Sequence, residues 1–170
     1  MNTITNPLRT EIMKKLLILV VLGMMGVTTC FAQAETLSPK ELEFRNGISQ
    51  FLKVEGYVPS VDKEDNSLEW KKEGTTYWLN VYGSSPTYIE LHKSGFGIED
   101  SNRRYLLQAC NKAMNETRCA KAYVTKSSVA FTIELYCQTV EEFKLVFNRS
   151  VSALDAIKDR VKKYYNELED

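Results

Sequence analysis

The chain has 170 residues, and its 22 basic side chains are balanced by 22 acidic ones, with 44% hydrophobic and 26% charged residues. That composition excludes a disordered, collagen-like or polytopic membrane protein, and the length suits one domain with an appendage. A neutral balance lacks the basic excess of a nucleic-acid binder. A single His and no compact catalytic motif point away from an enzyme or a cofactor-dependent protein.

The first element is an address. Lys14-Lys15 precede an apolar run from Leu16 to Val27, which ends in the small-residue stretch Thr28 to Ala34. A positive start, an apolar middle and an Ala32-Gln33-Ala34 exit make a secretory signal peptide. Met13 is the expected true start, with cleavage after Ala34 or Ala32. The run is short for about 30 Å of hydrocarbon, so no transmembrane segment is expected in the mature chain. Val27-Thr28-Thr29-Cys30 fits a lipidation signal loosely, which leaves a lipoprotein anchored through Cys30 as the lesser reading. The expected organisation is a signal peptide over residues 1–34 and a single α+β domain over residues 35–170, exported to the periplasm or secreted.

The leader holds three basic residues and one acidic residue, so the remainder carries 19 basic and 21 acidic groups, a net charge of −2. Cys110, Cys119 and Cys137 remain of the four cysteines. Export permits disulfides, but an odd count allows at most one bridge, for which Cys110 and Cys137 are the candidates. Buried thiols acting as small apolar groups are the other reading.

Ser38-Pro39-Lys40-Glu41 is a helix start, with Ser38 as cap, Pro39 at the first helical position and Glu41 closing a capping box. Phe44, Ile48, Phe51 and Leu52 then repeat at helical spacing until Gly56 stops the helix. Residues 68–72 and 75–82 read as strands joined by the two-residue turn Glu73-Gly74. That register sets Trp70 opposite Tyr77 and Leu68 opposite Leu79. A third strand, 87–93, sets Leu91 opposite Leu79 and Ile89 opposite Val81, which keeps one face continuously apolar.

Residues 98–115 predict a second helix, with Ile98, Leu106, Ala109, Cys110, Ala113 and Met114 on its apolar side. Residues 119–125 and 128–137 predict a second hairpin around Lys126-Ser127. Thr139 then opens a long helix whose stripe runs through Phe143, Phe147, Val151, Leu154, Ile157, Val161 and Tyr165. Such a helix is about 40 Å long, so its last turns are expected to project or to meet a second copy. The order α-β-β-β-α-β-β-α predicts an α+β fold, an antiparallel sheet packed against helices.

Four segments carry a family resemblance: Ile48 through Pro59, Leu68 through Trp78, Asn111 through Thr117 with Ala120 through Val124, and Phe143 to Leu154. Across most of residues 38–165 the chain resembles the YbjN-type bacterial family of sensory transduction regulators. Its element order resembles the type III secretion chaperone-like fold. The resemblance implies a small, often dimeric, protein-binding or regulatory domain without enzyme activity, and it supplies no functional residue. Those relatives are largely cytosolic, whereas this chain has an export signal.

The individual chemical motifs are weak. His92 would have to serve any Ser-His-Asp or Cys-His arrangement, and it falls at a strand end, on the solvent side. Asp62 to Asn66 begins like a calcium loop but has Ser67 in place of the Gly that such a loop needs at its sixth position, so no metal site is expected. A clearer candidate is the sheet face away from the core. The register gathers Trp78, Tyr82 and Tyr88 there, with Asn80, Glu90 and His92 between them. Aromatics on an exposed face mark an interface, although cross-strand pairing alone also uses them. The expected function is an exported, non-enzymatic binding domain for an unknown protein or peptide, or for a second copy as a homodimer. A periplasmic carrier of a small molecule or lipid, and then a hydrolase using His92, are the alternatives.

Overall fold

In a computed structural model of the chain, residues 36–83 and 85–169 are described. The leader, with Met13, Cys30, Ala32 and Ala34, lies outside them. Helix α1 spans Pro39–Val54 and begins in a closed capping box. Ser38 Oγ accepts the Glu41 N–H at 3.3 Å, and the Glu41 carboxylate accepts the Ser38 N–H at 2.6 Å. The helix ends where Gly56 adopts a φ of +89°. The Tyr57 N–H then reaches back to Leu52 O at 2.9 Å and the Gly56 N–H to Lys53 O at 3.1 Å, a Schellman cap.

The strands are β1 Ser60–Val61, β2 Leu68–Lys72, β3 Thr75–Tyr82 and β4 Thr87–Lys93. Helix α2 spans Arg103–Glu116, and the chain continues with β5 Ala120–Val124, β6 Val129–Cys137 and α3 Val140–Glu169. All strand pairs are antiparallel, in the order β1-β2-β3-β4-β6-β5. The β2–β3 turn takes positive φ at both Glu73 and Gly74, as a two-residue hairpin requires. Trp70 faces Tyr77, Leu68 faces Leu79, and Val81 faces Ile89. The α+β class and the sheet register are therefore as expected.

The helices bury their apolar stripes against one face of the sheet. Phe44, Ile48 and Leu52 of α1, Leu106 and Ala109 of α2, and Phe143, Phe147 and Leu154 of α3 join Leu79, Leu91, Phe131 and Ile133 in one core. Trp70 stacks on Tyr77 at 5.6 Å, and Phe51 meets Phe147 edge-on at 5.2 Å. Each such side chain contributes on the order of 1.5–3 kcal/mol by leaving water.

Three expectations change. Helix α2 starts at Arg103, because the preceding segment extends the sheet instead: Gly97 bridges Ser128, and the Ile98 N–H bonds Ser127 O at 3.1 Å. Met114 sits on its exposed side. The last turns of α3 do not project, because α2 lies alongside them. Tyr164, 5% exposed, takes the core position, and its hydroxyl donates to Glu116. The Lys112 ammonium sits 4.0 Å over the Tyr164 ring and bonds Glu167 at 3.1 Å. Helix length therefore gives no ground for a dimer.

Candidate functional site

Period-2 alternation sends every second residue of the sheet away from the helices. Trp78, Asn80 and Tyr82 of β3 stand opposite His92, Glu90 and Tyr88 of β4. On the other side of β4, β6 sets Thr132, Glu134 and Tyr136 opposite the same three residues. The outer face is thus a grid of three rows: Trp78–His92–Thr132, Asn80–Glu90–Glu134 and Tyr82–Tyr88–Tyr136. All six residues expected from the sequence come together. The third column was missed because the β4–β6 pairing is long-range, although Thr132, Glu134 and Tyr136 alternate with apolar neighbours along β6.

The tyrosine row is a continuous ring ladder, with centroids 5.7 Å apart from Tyr82 to Tyr88 and 5.2 Å from Tyr88 to Tyr136. Tyr136 is 72% exposed. In the middle row two carboxylates face one another, which is unfavourable unless each has a partner. His92 Nε2 lies 3.1 Å from Glu90 Oε2, and Lys121 Nζ lies 2.6 Å from Glu134 Oε1. The Lys121 hydrogen bond holds the Glu134 carboxyl below the usual range. Desolvation, then the charges of Glu134 and Glu90, push the Tyr88 phenol up to about 12, so it remains a neutral donor at physiological pH.

Beside the Trp78 row lies a cleft of about 520 Å³. Trp78, Asn80 and His92 line one side, Asp65 and Ser67 another, and residues 94–97 with Ser128–Ala130 the rest. Trp78 is fixed by its indole N–H, which donates to Glu69 Oε2 at 3.2 Å. The Asp65 carboxylate accepts the Ser67 N–H at 2.9 Å. Residues 94–97 form a strap bonded to both sides: the Ser94 N–H reaches Thr76 O, and Phe96 O accepts the Val129 N–H, each at 2.9 Å. Gly95 passes so close to β6 that a Cβ there would lie 1.8 Å from Val129 O. Two hydroxyls at this end have no hydrogen-bond partner: Ser67 Oγ and Thr132 Oγ1, each on a residue 2% exposed. Neither bonds His92.

A second polar cluster, not foreseen from the sequence, lies on the helix side. The Lys93 ammonium and the Tyr77 hydroxyl, at 2.8 Å, both donate to Asp155 Oδ1, and Lys72 Nζ lies 3.9 Å from Oδ2. Lys93 is 8% exposed. Burial raises the Asp155 pKa, but the bonds from Lys93 and Tyr77 outweigh it and hold the carboxyl below its usual value. Burial and the adjacent Asp155 push the Tyr77 phenol upward.

Cys110, Cys119 and Cys137 are free thiols, so no bridge between Cys110 and Cys137 is formed here. Cys110 lies on α2 and Cys137 at the end of β6, both buried, while Cys119 is exposed. The calcium-like segment is a pair of Asx turns, in which Asp62 Oδ1 accepts the Glu64 N–H at 2.7 Å and Asp65 serves Ser67. Among the described residues no three His, Cys, Asp or Glu side chains converge as metal ligands. No helix among them is long and apolar enough to cross a membrane.

This architecture, an antiparallel sheet with the three described helices on one face and an aromatic grid on the other, defines a class by its fold. Among solved structures the chain is similar to the crystal structure of YbjN, a candidate transcription regulator from E. coli. The match has a TM-score of 0.52 at 10% identity and covers 65% of this chain and 85% of that one. It is a likeness of fold. No family model and no curated protein matches the chain.

Proposed function

We propose that this chain is a non-enzymatic binding domain with a regulatory role, and that its partner docks on the outer face of the sheet. One observation carries the reading: three strands present an ordered grid of Trp78 and three tyrosines that no helix of the described residues covers. Aromatic side chains with fixed polar neighbours are the usual anchors of protein interfaces. The fold likeness to a candidate regulator supports the same class, and it carries no residue across. The leader pattern of residues 13–34 supports action outside the cytoplasm, with the partner in the cell envelope or beyond.

The test compares wild type with a Trp78→Ala, Tyr88→Ala double variant whose circular dichroism matches wild type. Each is used to capture proteins from envelope extract. Wild type should retain a protein that the variant loses, and equal recovery by both removes the sheet face as the docking surface. Mass analysis of the exported chain should find an N-terminus at Gln33 or Glu35. A cytoplasmic chain that keeps residues 13–34 defeats the export reading.

A further inference from the structure

The cleft beside Trp78 has a chemistry that selects its occupant. We infer that it receives an arginine side chain from an extended segment of the partner protein. This rests on the reading of the outer face as a docking surface and names what that surface recognises.

The surroundings of the cleft are rich in hydrogen-bond acceptors and negative charge. Asp65 lines it, Glu69 holds the Trp78 indole from one side, and Glu90 holds His92 from the other. With Glu134, the outer face of the sheet carries three carboxylates, and Asp65 adds a fourth at the cleft, against the ammonium groups of Lys71 and Lys121, and Lys121 is already committed to Glu134. Lys93 lines the cleft, but its ammonium is spent on Asp155 on the helix side of the sheet. Ser67 Oγ, in the cleft wall, is buried with no partner. An anionic ligand would meet like charge here.

A cation is favoured, and a planar one most. Trp78 lines the cleft, and Trp is the strongest cation–π partner among the aromatic rings. A guanidinium has five donors and no acceptor, stacks on an aromatic plane and pairs with carboxylates through two bonds, where a lysine ammonium acts as a point charge. The volume of about 520 Å³ accommodates the head group with its three-carbon stem. Tyr82, Tyr88 and Tyr136 lie two rows away along the strands, the direction in which an extended segment would place its following side chains.

The experiment titrates the folded domain with a short fluorescent peptide containing one arginine, and with versions that carry citrulline, lysine or glutamate at that position. Citrulline keeps the shape and removes the charge. The arginine peptide should bind about tenfold more tightly than the citrulline peptide, with lysine between them and glutamate weakest. Added salt should narrow the difference. Asp65→Asn and Trp78→Leu should each reduce the arginine preference to about threefold or less, and Asp65→Asn decides the matter alone if Trp78→Leu does not fold. Equal binding of arginine and citrulline, a preference for glutamate, or no binding of any peptide overturns the assignment. If the Trp78→Ala, Tyr88→Ala protein still loses a captured partner in that case, the docking face stands and only its arginine specificity falls.

Discussion

Lys93 of β4 and Asp155 of α3 form an ion pair in which the ammonium is buried while the carboxylate stays at the rim of the core. The pair joins the sheet to the long helix, and the Tyr77 hydroxyl shares the same carboxylate oxygen. Replacing Asp155 with Asn keeps the shape and removes the charge, leaving Lys93 without its counter-ion. The expected loss is about 2 kcal/mol, less than for a fully enclosed pair because Asp155 is 38% exposed. Urea unfolding measures it, and an unchanged midpoint would show that Lys93 finds water instead.

The same carboxylate makes acid unfolding informative. Its folded pKa lies below the ordinary value of 3.8. A depressed carboxylate contributes its stabilisation above the unfolded pKa and loses it as pH falls through the folded one. Thermal stability should hold above about pH 5 and decline below it, more steeply in wild type than in Asp155→Asn. Identical acid slopes for the two proteins would assign the decline to other carboxylates.

Gly95→Ala should be among the most damaging single-methyl additions. The new Cβ would meet the backbone carbonyl of Val129, which cannot rotate away as a side chain could. The expected cost is about 3 kcal/mol. At Gly97 an added Cβ meets nothing within 4 Å, so Gly97→Ala should stay within about 0.5 kcal/mol of wild type. Melting curves of the two variants compare them directly, and similar melting points would mean that the strap yields.

Ser67→Ala and Thr132→Val should stabilise the free protein. Each removes a buried hydroxyl without a partner, and such a group costs about 1 kcal/mol or more. The gain should appear as a higher denaturant midpoint, and Ser67→Ala should at the same time weaken binding of the arginine peptide. Loss of stability in both variants would mean that water satisfies the two hydroxyls in solution.

Thiol labelling should separate the cysteines. Cys119 is exposed, while burial lifts the Cys110 thiol to about 11 and raises that of Cys137. A thiolate-selective reagent should modify Cys119 first and the other two only on unfolding. Fast labelling of Cys110 under native conditions would contradict the packing of α2.

The β2–β3–β4 register was legible in the sequence because neighbouring strands share short turns, and a single offset would have turned Leu79, Val81 and Leu91 to water. The capping box at Ser38 was legible for the same local reason. What escaped were long-range choices. Nothing near Val129 indicates that β6 will pair with β4 rather than beside β3, so Thr132, Glu134 and Tyr136 were left off the face. Ile98 fits a helical stripe as well as a strap, and only Ser127 and Ser128, brought alongside by the second hairpin, decide between them. The choice of Tyr164 over Tyr165 depends on where α2 lies. Lys93 and Asp155 look like ordinary surface charges until the sheet and α3 meet.

Each row of the outer grid takes its last member from β6, which α2 and β5 separate from β4 along the chain. The complete three-column face therefore cannot exist on a partly folded chain, however well the β2–β3–β4 meander has formed. A partner that required all three columns would tell finished molecules from unfinished ones, and by mass action would hold β6 in place once bound.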